Sequence, residues 1–248
     1  MVDAPSNLST DQQPTRPTTR ILAVFIAYVP VYAFALWTHL SEKPITLKEL
    51  FLYPLVLGGG TLVLILLLQK FVCGEPLAAL QLKPGKWYTD ILAGVILGFL
   101  SIFIMVLQSV AQSILPGLAS SPPAEEVVTL FRSIASNPLL AAIWLGPVVW
   151  IGVAAFEELS RVFMLNQLWK VWPQRVAQWI VLIASALLFG LVHIYQSPTS
   201  MFFITLQGLL YGLYYQRFGR VWPLIIAHAM YDSIQVLFTI VILGTGWS

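Results

Sequence analysis

Three charged residues lie inside a long apolar stretch of the sequence. In "WIGVAAFEELSRVFML", residues 150–165, they are Glu157, Glu158 and Arg161. A charge near the centre of a bilayer costs roughly 2.5–3.5 kcal/mol, so three such charges need partners or a water-filled cavity. On a helix Arg161 is an i,i+4 neighbour of Glu157 and an i,i+3 neighbour of Glu158. The arginine can neutralise one glutamate, and the other is then suited to proton transfer.

Two of the three histidines lie in apolar segments further along the chain. His193 ends the stretch "SALLFGLVHI", with Phe189 one turn earlier, and His228 lies in "WPLIIAHAMYDS", with Asp232 at i,i+4. Together with the glutamates, these residue types indicate amide hydrolysis. A glutamate would activate a water, one histidine would steady it or carry its proton, and the other, oriented by Asp232, would donate to the oxyanion.

A metal-dependent version of this chemistry stays open at the level of sequence. Glu157, His193 and His228 are candidate ligands for Zn²⁺, with a water in the fourth position. The sequence contains no HExxH motif, and the three candidates fall in different apolar segments. Spacing does not decide between the metal-dependent and the metal-free mechanism, so Zn²⁺ stays open as a cofactor.

The composition of the whole chain is that of a membrane protein. Of its 248 residues 58% are hydrophobic and only 10% are charged, and the mean hydropathy is +0.82. Soluble domains carry about 25% charged residues. The net charge of +2 predicts no nucleic-acid partner, and the single Cys73 excludes an intramolecular disulfide. We expect an integral, multi-pass protein embedded in a lipid bilayer.

The hydrophobic pattern predicts an all-α fold, a polytopic helical membrane protein with about seven transmembrane helices and a range of six to eight. Residues 1–19 form a polar tail that we expect to be disordered. Residues 20–137 form N-terminal membrane helices and loops, and residues 138–248 form a catalytic helical core. The predicted spans are 21–39, 51–69, 89–115, 138–169, 176–194, 198–216 and 223–246.

The distribution of basic residues predicts the orientation. Nine of the thirteen Lys and Arg residues fall on the side of the N-terminal tail, three fall on the other side, and Arg161 lies within a span. Loops rich in Lys and Arg stay in the cytoplasm. We therefore predict a cytoplasmic N-terminus.

The polar motifs resemble those of the CPBP family of intramembrane proteases, which includes CAAX prenyl endopeptidases and relatives linked to bacteriocin immunity. The family pattern is a Glu-Glu pair followed by Arg, then FxxxH, then HxxxN or HxxxD. Here the motifs read "EELSR", "FGLVH" and "HAMYD" in that order. The resemblance covers roughly residue 139 to the C-terminus. It implies a peptidase that acts on peptides or protein tails at the membrane, with prenylated C-terminal ends as one substrate class.

The resemblance also implies a role for each residue of the motifs. Glu157 would be the water-activating base, and His193 would assist it. Glu158 would be the charge partner of Arg161, and Phe189 would lie beside the histidine. His228 together with Asp232 would stabilise the oxyanion.

Two departures from the family pattern qualify these roles. The arginine comes one residue earlier than in the usual EExxxR, and this leaves Glu158 open as an alternative base. Asp232 stands where the family also uses Asn. Because an ionised aspartate only accepts hydrogen bonds, we expect it to orient His228 or to stay protonated.

Two other functions stay open from the sequence. The chain would serve as a non-catalytic immunity or scaffold protein if the buried polar residues only stabilise packing. A proton-coupled transporter is a third hypothesis, although no paired broken helices indicate one. A simple placement of the spans puts His193 near the outer end of its span and His228 near the inner end of its own. Convergence of these histidines on one cavity is therefore the critical structural question.

Overall fold

The computed structural model describes residues 15–41, 46–82, 85–115, 125–193 and 197–244. When contiguous α- and π-helical stretches are joined, these residues form eight helices, with a short 3-10 turn at Leu77–Leu80 and no strand among them. The all-α prediction is confirmed for this part of the chain. The helices are α1 (Pro17–Ser41), α2 (Leu47–Val72), α3 (Trp87–Ile114), α4 (Glu125–Ala135), α5 (Pro138–Val171), α6 (Arg175–Leu191), α7 (Pro198–Phe218) and α8 (Trp222–Gly244).

Four of these helices are long and apolar enough to cross a membrane, judged by length and composition. They are α1, α2, α3 and α5, and α6 is a shorter apolar helix. Helix α5 has 34 residues, and it bends at Gly146, where φ −90° and ψ −105° leave the helical region. The helices indicate an integral membrane protein, but the expected count of about seven spans is not confirmed.

The N-terminal tail is described only from residue 15, and residues 1–14 lie outside the described part of the chain. Helix α1 begins at Pro17, within the range predicted to be disordered. Proline suits the first helical position because its φ is already helical and its missing N–H would be unpaired there. The Thr15 hydroxyl also donates a hydrogen bond to the carbonyl of Cys73. The helix thus begins inside the range 1–19 that the sequence assigns to the tail.

Short sequence signals set the ends of several helices. Thr46 and Glu49 form a capping box at the start of α2. The Asn137 side chain accepts hydrogen bonds from backbone N–H groups in the first turn of α5. Gly219 ends α7 in the left-handed region, with φ 63°.

Helices α2 and α5 meet through their π-helical stretches, Pro54–Gly58 and Trp144–Ala155. The two backbones touch where each helix has a glycine. A Cβ built on Gly58 would lie 2.2 Å from the carbonyl oxygen of Gly152. This contact holds α2 against α5 just before the Glu157–Glu158 pair.

A polar cluster joins one end of α1 to the end of α5 and to the segment after α2. We call it the Glu75 cluster, and its members are Arg20, Gln69, Glu75, Gln167 and Lys170. Lys170 Nζ lies 2.6 Å from Glu75 Oε2. Gln69 and Gln167 are fully buried and hydrogen-bonded to each other at 2.9 Å. The cluster therefore stabilises the end of the bundle at which α1 begins.

Helices α6 and α7 form an antiparallel pair, and polar residues at the start of α7 are buried. Thr199 and Ser200 are each 8% exposed. Gln108 of α3 donates a hydrogen bond of 3.0 Å to the Ser200 hydroxyl. Gly190 allows close contact, since a Cβ there would meet the Thr205 side chain at 2.0 Å. The beginning of α7 therefore lies inside the protein.

Candidate active site

One cavity of about 940 Å³ brings the predicted site residues together. Helix α5 contributes Glu157, the turn after α6 contributes His193, and α8 contributes His228 and Asp232. Arg161 and Phe189 also line the cavity, and much of the remaining wall comes from α1 and α2. Side chains from three separate sequence motifs thus face one space.

The two adjacent glutamates lie in different surroundings. Glu158 is fully buried, and each of its oxygens has a partner: Oε2 lies 2.8 Å from Arg161 Nη1 and Oε1 lies 2.8 Å from His228 Nδ1. Glu157 lines the cavity, and its side chain is 20% exposed. Although Arg161 comes one residue earlier than in the family pattern, it pairs with Glu158 rather than with Glu157.

Arg161 is held between two aromatic rings. Its guanidinium carbon lies 4.1 Å from the centroid of the Phe189 ring and 5.6 Å from that of Tyr211. Such cation–π contacts stabilise a charge that is removed from water, and the Arg161 side chain is only 2% exposed. Phe189 therefore orders the site by packing against the arginine.

Tyr211 is a further polar residue beside the site, and none of the three motifs contains it. Its hydroxyl lies 2.8 Å from the hydroxyl of Ser101 on α3, and Gln207 donates to it at 3.3 Å. Tyr211 is completely buried. Gln207 and Tyr211 are i,i+4 neighbours in an apolar segment. This spacing is the signal for Tyr211 in the sequence, because buried polar groups need hydrogen-bond partners.

Both ring nitrogens of His228 face carboxylates. Nδ1 contacts Glu158, whereas Nε2 lies 3.6 Å from Glu157 Oε2 and 3.6 Å from Asp232 Oδ2. These longer separations are compatible with an ion pair but exceed a direct hydrogen bond. Asp232 thus lies beside the ring that it was predicted to orient.

His193 lies on the same cavity as His228, so the separation in depth expected from simple span boundaries is not observed. The ring centroid of Phe189 is 5.3 Å from that of His193 and 6.0 Å from that of His228. Helix α6 ends at Leu191 after 17 residues, and the buried start of α7 follows. The short helix leaves the half-buried His193 on the cavity wall.

A hydrogen bond from His193 to the backbone indicates the tautomer of its ring. Nδ1 lies 2.9 Å from the backbone carbonyl oxygen of Phe189. Since a carbonyl oxygen only accepts, Nδ1 carries the proton, and in the neutral ring Nε2 is then an acceptor.

Among the described residues, no group of three or more His, Cys, Asp or Glu side chains is arranged to hold a metal ion. The candidate ligands Glu157, His193 and His228 line one cavity. Zinc binding by these residues stays a prediction from the sequence.

The segment that contributes the catalytic candidates to this cavity is similar to a known protein family. No curated protein and no solved structure matches the chain. Residues 138–234 match the family described as type II CAAX prenyl endopeptidase Rce1-like. All four catalytic candidates fall in this segment, and the resemblance predicted from the three motifs is thereby confirmed for it.

Proposed function

We propose that this protein is an intramembrane endopeptidase that hydrolyses peptide bonds of membrane-associated substrates with a water activated by Glu157. The observation that carries the proposal is the division between the two glutamates. Glu158 is occupied by Arg161 and His228, whereas Glu157 faces the cavity. The match to a peptidase family over the same residues supports this function.

In the proposed reaction, Glu157 accepts a proton from a water as the water oxygen adds to the carbonyl carbon of the substrate. His193 accepts a hydrogen bond from that water through Nε2 and holds it in line. The electron pair of the carbonyl bond moves to the oxygen and forms an oxyanion. When the intermediate collapses, the C–N bond breaks and the leaving amine takes the proton from Glu157.

His228 supplies a hydrogen bond to the oxyanion. With carboxylates facing both of its nitrogens, the ring is well satisfied as an imidazolium, which has two N–H donors. Glu158 fixes the ring through Nδ1, and Asp232 lies beside Nε2. Because the carboxylates of Glu157 and Asp232 lie 3.6 Å from Nε2, beyond a direct hydrogen bond, the N–H there can donate to the developing negative charge.

The cavity wall favours an apolar substrate segment. Phe34 and Trp37 of α1 and Tyr53 of α2 line it, with the Phe34 and Tyr53 ring centroids 4.9 Å apart. A volume of about 940 Å³ lies within the range of sites that enclose a ligand. We propose peptides or protein tails as substrates, with prenylated C-terminal ends as one class because the matched family carries that description.

The test is peptide cleavage by the purified protein in lipid vesicles, with prenylated and unmodified fluorogenic peptides. The Glu157→Gln variant should keep the thermal unfolding temperature and lower kcat by about 10²- to 10⁴-fold, the usual contribution of a general base. A metal chelator should leave wild-type activity unchanged. Full activity in Glu157→Gln would overturn the mechanism, and unfolding of that variant would favour a purely structural cluster.

A further inference from the structure

We propose that the Tyr28 hydroxyl is a second oxyanion donor, so that α1 supplies a catalytic residue to the site. Helix α1 lies outside the segment that matches the peptidase family. The inference rests on the proposed peptidase function and adds a residue that none of the three motifs contains.

The motifs leave this site with few hydrogen-bond donors. Amide hydrolysis places a negative charge on the former carbonyl oxygen, and donors aimed at that position lower the barrier. His228 Nε2 is one such donor. Asp232, at the position where the family also uses Asn, cannot donate when it is ionised.

Tyr28 lies on the wall of the cavity that holds the catalytic candidates. It lines the cavity together with Glu157, His228 and Asp232. Arg161 lines the same cavity. Within the described part of the chain, this hydroxyl makes no hydrogen bond. It is therefore a donor that a substrate atom can engage.

The position of Tyr28 is fixed by its neighbour one turn along α1. The two rings of Tyr28 and Tyr32 stack with centroids 6.0 Å apart and an angle of 29° between their planes. The Tyr32 hydroxyl donates a 2.9 Å hydrogen bond to the carbonyl of Leu188, near the end of α6. Tyr32 thus anchors α1 to the helix that carries Phe189, and Tyr28 is held beside the catalytic candidates.

Most other hydroxyl groups of the cavity wall already donate elsewhere. The bonds are Tyr32 to Leu188 at 2.9 Å, Tyr53 to Glu49 at 2.7 Å, Thr46 to Glu49 at 2.7 Å and Ser160 to Phe156 at 2.7 Å. Ser185 is the remaining hydroxyl, and it is 3% exposed on α6. It is the rival that an experiment must separate from Tyr28.

The step balances without a net change at the tyrosine. The attacking water gives its proton to Glu157, and the carbonyl electron pair becomes the oxyanion. Tyr28 O–H donates a hydrogen bond to that oxyanion and keeps its own proton. When the carbonyl re-forms and the amine leaves, the hydrogen bond weakens again.

The test compares Tyr28→Phe with wild type and with Tyr88→Phe, which removes an exposed hydroxyl at the start of α3. Tyr28→Phe should lower kcat by about 10²- to 10³-fold, as for loss of one oxyanion donor, with KM and the unfolding temperature unchanged. Tyr88→Phe should behave as wild type. A peptidyl phosphinate, whose tetrahedral anion mimics the intermediate, should bind Tyr28→Phe more weakly by a similar factor.

A rescue experiment adds a readout that a merely structural role would not move. In Asp232→Asn the side-chain amide can donate a hydrogen bond. Adding Tyr28→Phe to Asp232→Asn should therefore lower kcat by a smaller factor than Tyr28→Phe does in the wild type. If the wild type cleaves the peptide and Tyr28→Phe is equally active, this inference is overturned and the proposed function stands. The same holds if Ser185→Ala loses activity and Tyr28→Phe does not. If the wild type cleaves no peptide, the proposed function fails and the inference fails with it.

Discussion

At the scale of single residues, the site depends on two adjacent glutamates that face different ways. Consecutive positions on a helix point about 100° apart, so one carboxylate can face a cavity while its neighbour faces the interior. The sequence predicts the pair and its arginine, but Glu157 and Glu158 both lie within reach of Arg161. His228 of α8 distinguishes the two glutamates, because it contacts Glu158. That contact is tertiary, and spacing along one helix cannot reveal it.

The buried position of Glu158 predicts a loss of stability on substitution. In Glu158→Gln, Arg161 and the Nδ1 atom of His228 would face a neutral amide in a region without solvent. Breaking a buried ion pair by removing one partner costs about 3–5 kcal/mol. We expect a clearly lower unfolding temperature for Glu158→Gln than for Glu157→Gln, measured by thermal denaturation in detergent. Equal stability of the two variants would contradict the structural role of Glu158.

At the scale of helices, the sequence predicts where apolar segments lie but not how they deform. Long apolar stretches and polar breaks predict the positions of α1, α2, α3 and α5. The π-helical stretches have no comparable signal, because they arise where one helix packs against another. The same limit applies to α6, whose end at Leu191 explains how His193 reaches the cavity. Span counting alone places His193 and His228 at different depths, whereas both line one cavity.

The contact between α2 and α5 predicts a difference between two neighbouring glycines. A methyl group on Gly58 would overlap the Gly152 backbone, whereas nothing lies within 4 Å of a Cβ on Gly59. Gly58→Ala should destabilise the protein by about 1–3 kcal/mol, as overpacking does. It should also lower cleavage, because Gly58 and Gly152 line the cavity.

The matched control is Gly59→Ala, which should be neutral or stabilising by up to about 1 kcal/mol since alanine favours a helix. Thermal unfolding and peptide cleavage of the two variants measure both effects. Similar behaviour of Gly58→Ala and Gly59→Ala would show that the close approach is not required.

The Glu75 cluster predicts loss of stability in acid. Burial alone would raise the pKa of Glu75, but hydrogen bonds and ion pairs with Lys170 and Arg20 outweigh it and lower the pKa. A carboxyl whose folded pKa lies below its unfolded value of about 4.3 stabilises the fold fully above that value. The contribution is lost as the pH falls through the folded pKa.

We therefore expect Glu75→Gln to lower the unfolding temperature at pH 7 and to flatten its decline below about pH 5, near the unfolded pKa. Lys48→Gln, which removes an exposed charge outside the cluster, should match the wild type at both pH values. The measurement is thermal unfolding across pH in detergent. If the unfolding temperature of Glu75→Gln falls in acid as it does in the wild type, the pH dependence of stability comes from other groups.

At the scale of the whole molecule, the cavity and the Glu75 cluster lie towards opposite ends of α1. Arg20 belongs to the cluster, and Trp37, which is 52% exposed, lines the cavity. These residues are 17 positions apart, about 25 Å along a helix. Thr46, at the start of α2, lines the same part of the wall. The orientation of the chain therefore decides which compartment lies nearest the cavity opening.

The Lys and Arg distribution predicts that the Glu75 cluster faces the cytoplasm, so the cavity should open towards the other side. Single cysteines test this without removing Cys73. That thiol is 1% exposed, and burial together with nearby Glu75 raises its pKa, so it holds little reactive thiolate at neutral pH. Suitable positions are Lys86, exposed before α3, and Ser136, exposed before α5.

An impermeant maleimide added to intact cells should label Ser136→Cys, whereas Lys86→Cys should react only after the membrane is permeabilised. The wild type should stay unlabelled in both conditions, because its only cysteine is buried. Labelling of Lys86→Cys from outside, with Ser136→Cys protected, would reverse the orientation and place the cavity opening towards the cytoplasm. Either result identifies the compartment that lies nearest the Trp37 end of α1, where the cavity wall includes Trp37.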